Sequence, residues 1–183
     1  EKIGKQDQYA AAFGGMNIID FSSAGVKVSP VRISKKTLTE FNSHLLAFHV
    51  AGARDAAAIH AGVSHTMKND KAIFTAQKKM VDMVLPFKAA LIKGEFKKCG
   101  VMLHKAWELK KKSHALSHAE TDAVYAAGRK AGAWGGKLLG AGGGGFVLFI
   151  APPKVHEKIR AAFKGRKELP IGFESEGSKV IFN

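Results

Sequence analysis

Two places in the sequence have residue types and spacing that could do chemistry: a carboxylate at Asp7 and a glycine run at 140–145. Asp7 lies in Gly4-Lys5-Gln6-Asp7-Gln8-Tyr9, at the start of a helix-compatible stretch, where the helix dipole stabilises a negative charge. Two roles are open to it. It can cap the helix, or it can stay ionised and accept a proton from, or orient, a hydroxyl nucleophile. The second place reads Gly140-Ala141-Gly142-Gly143-Gly144-Gly145. Glycine loses more conformational freedom on folding than any other residue, so such a run needs a reason. Successive backbone N–H groups in a tight turn make a concave anion site, which points to phosphate. A flexible linker is the competing reading, but Gly-rich linkers normally continue into polar residues. This run enters Phe146-Val147-Leu148-Phe149-Ile150, an apolar segment that must be buried. The run also satisfies G-x-G-x-x-G. That fingerprint requires a strand before and a helix after, whereas the sequence here suggests a helix before and a strand after. No G-x-x-x-x-G-K-[ST] phosphate loop is present.

Further candidates are basic. Lys137 follows Trp134-Gly135-Gly136, where it could contact phosphate or simply be solvated. Arg54 follows Ala51-Gly52-Ala53 after a strand-like segment; an arginine at a helix N-terminus suits phosphate, and a surface pairing with Asp55 is the alternative. The eight histidines form no metal-ligand set: H-E-x-x-H is absent, and His114 and His118 straddle an expected cap at Ser117. No G-x-S-x-G nucleophile elbow occurs. Cys99, the single cysteine, reads as a helix residue rather than a nucleophile.

Composition narrows the class. With 29 Lys and Arg against 15 Asp and Glu, the net charge is +14, which favours anionic partners: nucleic acid, acidic surfaces or phosphorylated small molecules. The densest cluster, Lys93, Lys97, Lys98, Lys105, Lys110, Lys111 and Lys112, reads as a solvated helix face. Phe96 and Trp107 stand at helical core spacing rather than on a nucleic-acid platform. No apolar run is long enough to span a membrane. A single cysteine excludes an internal disulfide framework, and a reducing cytoplasm is the default expectation. The first residue is Glu1 and a dense motif is reached by Gly4, which suggests part of a longer chain.

The elements expected to position these residues follow from periodicity. A short helix over 7–14 is stopped by Gly14-Gly15. Strand-like runs follow at 16–21, 26–31 and 44–50, the first two joined by a turn at 22–25. Residues 54–64 are helix-compatible. Helical spacing continues over 71–93, divided near Pro86, and over 95–112. A capping box, Ser117-His118-Ala119-Glu120, opens a helix running to about Gly132. The glycine run, a strand at 146–151, a basic helix at 154–164 and strand-like ends at 171–174 and 179–182 complete the chain. The order indicates an α+β architecture, an antiparallel sheet with helices on one face.

The motifs 4–15 and 135–146 together resemble those of the GHMP kinases, the superfamily of galactokinase, homoserine kinase, mevalonate kinase and phosphomevalonate kinase. Within it the likeness is to the D-glycero-D-manno-heptose 7-phosphate kinases, and Leu103-His104-Lys105-Ala106-Trp107-Glu108-Leu109-Lys110-Lys111 and the stretch 116–125 fit as well. The resemblance implies a ferredoxin-like C-terminal domain over 51–183, preceded over 1–50 by a helix and strands of the catalytic-Asp region. It implies Asp7 as the catalytic carboxylate, with Lys5, Gln8, Arg54 and Lys137 as substrate contacts. It implies Gly140, Ala141, Gly142, Gly143, Gly144 and Gly145 as support for the nucleotide-phosphate loop. The reaction would be transfer of the ATP γ-phosphoryl, with Mg²⁺, to the anomeric hydroxyl of a phosphorylated heptose. The family's N-terminal motif, its Gly/Ser-rich ATP loop and its Mg²⁺-holding Ser and Glu are not in this sequence. The chain therefore resembles the C-terminal half of such a kinase, which needs its N-terminal half for ATP and turnover. A related kinase with another acceptor is one alternative. A non-catalytic basic module for anionic partners is another.

Overall fold

The computed structural model describes residues 5–51, 71–114, 119–139 and 145–181. Arg54, the helix-compatible segment 54–64, the capping box at Ser117 and the glycines Gly140, Gly142, Gly143 and Gly144 with Ala141 lie outside the described residues.

Helix α1, Gln6–Phe13, ends where Gly14 turns to φ +62°, a left-handed conformation that an L side chain would resist. A hairpin follows: β1, Asn17–Ser22, pairs antiparallel with β2, Gly25–Pro30. Its turn is closed by Ser22 Oγ donating to the Gly25 carbonyl. Helix α2, Lys35–Asn42, was not expected from the sequence. Ser34 accepts from the Thr37 amide at 3.0 Å and caps it, and one buried ring, Phe41, holds it down.

The main sheet has four strands in the order β4-β5-β3-β6, all neighbours antiparallel. They are β3, Leu45–Ala51; β4, Gly135–Leu139; β5, Gly145–Ile150; and β6, Glu168–Leu169. Between β3 and β4 come α3, Lys71–Asp82; α4, Val84–Ile92; α5, Phe96–His114; and α6, Ala119–Lys130. Between β5 and β6 comes a 3₁₀ turn, Pro153–Val155, and then α7, His156–Ala162. This β-α-β-β-α-β order with inner strands β5 and β3 is the ferredoxin-like arrangement. The break between α3 and α4 falls at Met83, ahead of Pro86. Pro86 therefore sits in the first turn of α4, where its missing N–H costs no intrahelical bond.

Alternation along the strands sorts the core. Leu46, Phe48 and Val50 of β3, Leu138 of β4, and Val147 and Phe149 of β5 face one side, with Val124 and Tyr125 of α6, Trp107 of α5 and Ile159 of α7. Leu45 and Ile150 alternate to the other side. There they meet Phe41, Leu91, Phe96 and Cys99, so α2, α4 and the first turns of α5 add a second cluster to the expected one-faced layer. The edge strand β6 is pinned by Arg160 of α7, whose Nε and Nη2 grip the two carboxylate oxygens of Glu168 at 2.9 and 3.0 Å.

Two expectations are corrected. The segment before the glycine run is a strand, β4, and not the tail of a helix. The run therefore joins two antiparallel strands, with Leu139 opposite Phe146 at its base. A strand on the far side still excludes a dinucleotide fold. The reason for Gly135 and Gly136 is contact: a Cβ on Gly135 would collide with the Gly100 carbonyl of α5, and one on Gly136 with the Leu148 carbonyl. The strand-like ends at 171–174 and 179–182 are likewise not strands over their described residues. β6 stops at Leu169 because Pro170 has no N–H to continue the ladder.

Candidate functional site

Asp7 stands in the first turn of α1, exposed. It is not the cap. Lys5 occupies the N-cap position, in an αR conformation and with no side-chain capping bond. The carboxylate is therefore left near the positive end of the helix rather than spent on a backbone amide. Lys5 and Gln8 flank it and are exposed as well.

Lys137 is the central residue of β4, opposite Leu148 of β5. It is the charged residue in a groove of about 510 Å³ lined otherwise by Ala47, Leu139, Leu148, Leu169 and their neighbours. Its side chain keeps solvent access, yet the protein around it disfavours the charge and lowers its pKa, while the charge of Asp7 acts to raise it. That opposing effect brings the two sequence motifs together: the carboxylate of residues 4–15 and the strand leading into the glycine hairpin lie within electrostatic reach.

A third group was missed by the sequence reasoning. Lys110 of α5 has its pKa lowered by burial and, next, by the charge of Lys137. In the sequence it is one of seven clustered lysines. The signal that separates it is spacing: it follows Leu103 by seven residues, two helical turns along the same face, and Leu103 lines the groove that holds Lys137. Lys137 thus lies within electrostatic reach of both Lys110 and Asp7, which makes this a candidate site for an anion.

The strand that carries Lys137 is held from beneath. Tyr125 of α6 donates from its hydroxyl to the Gly136 carbonyl at 3.2 Å, and His104 Nδ1 lies 2.9 Å from the same hydroxyl. A hydroxyl has one proton to give, so His104 Nδ1–H donates to Tyr125, which fixes the imidazole as the neutral Nδ1–H tautomer. Burial lowers the pKa of His104 and pushes that of Tyr125 up to about 12, so both remain neutral. Burial likewise pushes the Cys99 thiol up to about 11, which leaves it an inert core residue.

Of the glycine run, Gly145 is described. It takes φ +99° and pairs with Ala51, at a β-bulge that ends β3 beside the hairpin. Among the described residues no group of three or more His, Cys, Asp or Glu could hold a metal ion, and no helix is long and apolar enough to cross a membrane.

Residues 87–167 match the family model described as GHMP kinases C terminal. The chain is 31% identical over 180 residues to the D-glycero-alpha-D-manno-heptose 7-phosphate kinase of Campylobacter jejuni, covering 96% of this chain and 53% of that protein. It superposes on the crystal structure of a D-glycero-D-manno-heptose 1-phosphate kinase from Bacteriodes thetaiotaomicron with a TM-score of 0.68 at 27% identity, covering 98% of this chain and 50% of that one. Galactokinase of Lactococcus lactis, at 14% identity and a TM-score of 0.64, shares the fold. The chain spans about half the length of the heptose kinases it matches. Over residues 87–167 it is similar to the C-terminal domain of the GHMP kinases.

Proposed function

We propose that this chain is the C-terminal portion of an ATP-dependent sugar kinase that transfers the γ-phosphoryl group to a hydroxyl of a phosphorylated sugar of the heptose 7-phosphate class. The observation that carries the reading is the chain's similarity, over nearly its whole length, to heptose phosphate kinases, and the charge interaction between Asp7 and Lys137 fits it. Phosphoryl transfer asks the protein chiefly for positioning and charge stabilisation. Asp7 takes the proton of the attacking hydroxyl. Lys137, with Lys110 behind it, holds an anionic oxygen of the acceptor or of the group in transit. Lys5 and Gln8 border the acceptor, Arg54 is a further substrate contact and the glycines 140–145 support the nucleotide-phosphate loop. A proton-accepting carboxylate typically contributes about 10²- to 10⁴-fold to rate.

Mg²⁺ is common to such transfers, where it would neutralise charge on the phosphates. Among the described residues no group of three or more His, Cys, Asp or Glu could hold it. Its ligands and most ATP contacts are assigned to the N-terminal half of the intact kinase. For the division of the chain, we propose that β3 goes with the C-terminal domain expected over 51–183, since it is an inner strand of that sheet.

The decisive experiment is Asp7→Asn in the intact kinase. Turnover with a heptose 7-phosphate falls by about 10²- to 10⁴-fold while ATP affinity changes little. Near-normal turnover removes Asp7 from the mechanism. A panel of hydroxyl acceptors run beside it distinguishes a heptose phosphate from another acceptor.

A further inference from the structure

Helix α1 contributes nothing to the core; none of its residues is buried. Tyr9 meets Phe21 of β1 edge-on at 5.6 Å, which gives the helix one lateral support. Its C-terminal end is completed from far along the chain. The last carbonyls of a helix have no intrahelical donors. Here Ser178 supplies them: its N–H donates to the Ala12 carbonyl at 3.2 Å and its hydroxyl to the Ala11 carbonyl at 3.4 Å. The Gly15 N–H donates in return to the Glu174 carbonyl at 2.8 Å. The approach is so close that a Cβ on Gly177 would collide with the Ala12 carbonyl, and one on Gly14 with the backbone of Glu176.

The same segment is anchored at its other end. Leu169 pairs with Ala47 in the sheet, Ile171 packs against the second core cluster, and the Phe173 ring stacks 6.0 Å from Phe41. One continuous stretch therefore runs from the edge of the sheet that carries Lys137 to the end of the helix that carries Asp7.

We propose that residues 174–178 are a positioning strap for Asp7, with Gly177 and Ser178 as the positioning residues. The inference rests on the catalytic reading of Asp7. The strap grips the helix at Ala12, five residues from Asp7, which is roughly 7 Å along the axis. A tilt of roughly 8° about that grip moves the carboxylate by about 1 Å, and such a displacement can cost about 10²-fold in rate.

The test compares Gly177→Ala with Gly172→Ala. Gly177 is not among the glycines with positive φ, so alanine there changes the contact and not the backbone preference. Gly172 lies in the same tail, and a Cβ added there would meet nothing within 4 Å, so it is the control. Hydrogen exchange on the 183-residue chain and steady-state kinetics on the intact kinase are read together. In Gly177→Ala the α1 amides exchange about 10-fold faster or more, since a helix without core contacts depends on its end for protection. Turnover drops roughly 10- to 100-fold with KM for ATP within about 2-fold. Gly172→Ala leaves both unchanged. Ser178→Pro, which removes the N–H donor from an exposed site, gives the same pattern and serves if Gly177→Ala folds poorly.

Unchanged exchange in α1 overturns the strap. Faster exchange with normal turnover overturns the positioning role, and Asp7→Asn then tells why. If Asp7→Asn is inactive, the strap alone fails. If it also turns over normally, the catalytic reading of Asp7 fails with it.

Discussion

Strand β4 and helix α1 carry Lys137 and Asp7, two charges of the candidate site, on opposite kinds of support. Around Lys137 the strand is walled in: Gly135 abuts the α5 backbone at Gly100, Leu138 is 1% exposed, and Tyr125 grips the Gly136 carbonyl. Around Asp7 the helix buries nothing, and Phe13 at its end is 54% exposed. The strand that carries the cation is fixed by packing, while the helix that carries the carboxylate is held by an aromatic edge contact and a handful of backbone bonds. Close packing makes a region stiff and intolerant of added volume. Few buried contacts make a region open locally at low cost. The lysine thus sits on the rigid element, and the carboxylate, proposed above as the proton acceptor, on the adjustable one.

The sharpest way to break the comparison is to place an alanine on each side. Gly135→Ala in β4 forces α5 away from the sheet and lowers unfolding stability by about 1–3 kcal/mol, the usual cost of overpacking. Gly128→Ala in α6, whose Cβ would enter the Phe149 ring, behaves alike. Asp7→Ala in α1 changes stability by less than about 0.5 kcal/mol, as at an exposed position. Urea unfolding of the three variants reads this directly. Equal losses would mean that α1 is as firmly built into the fold as β4.

A smaller effect probes the support beneath β4. His104 has a folded pKa below its ordinary value, with burial the main cause. The unfolded chain then binds more protons once the pH falls below about 6.5. Stability from this group is therefore full at neutral pH and is lost as pH falls through that value towards the folded pKa. In His104→Gln that component is absent, so the stability gap between the two proteins narrows from pH 7 to pH 5. A gap that stays constant would show that His104 titrates as freely as a surface histidine.

How much of this was legible in the sequence depended on whether local pattern or tertiary contact decided a residue's place. Helix α1, the hairpin, β3 and α5 follow from periodicity and from glycine stops. So did the antiparallel sheet of an α+β domain. Strand β4 was not legible, because Gly135 and Gly136 look like loop residues until Gly100 and Leu148 are set against them. The tail misled in the opposite sense. Its Ile and Phe residues suggest a strand, but Pro170 ends the ladder and the segment serves α1 instead. Helix α2 was missed because a short capped turn with a single buried ring, Phe41, leaves little periodic signal. In the site, Asp7 and Lys137 were singled out by motif. Lys110 was not, since a half-buried lysine and a solvated one differ only once the helix is docked. Arg54 and the glycines before Gly145 lie outside the described residues.

The smallest effect is the most direct test of the pairing itself. The charge of Asp7 raises the Lys137 pKa against the burial that lowers it. Removing that charge in Asp7→Asn should therefore shift the Lys137 pKa down. Lys110 senses Lys137 as a like charge, so Lys137→Met should shift the Lys110 pKa up. Lysine side-chain resonances titrated by NMR in the 183-residue chain report both shifts without any need for turnover. The first shift also reads the adjustable partner of the comparison. In Gly177→Ala, where α1 is loosened, the Lys137 pKa should move in the same direction as in Asp7→Asn, because the carboxylate spends less time near it. A Lys137 that titrates identically in the unsubstituted chain, Asp7→Asn and Gly177→Ala would mean that the two motifs do not form one site, whatever their proximity in the fold.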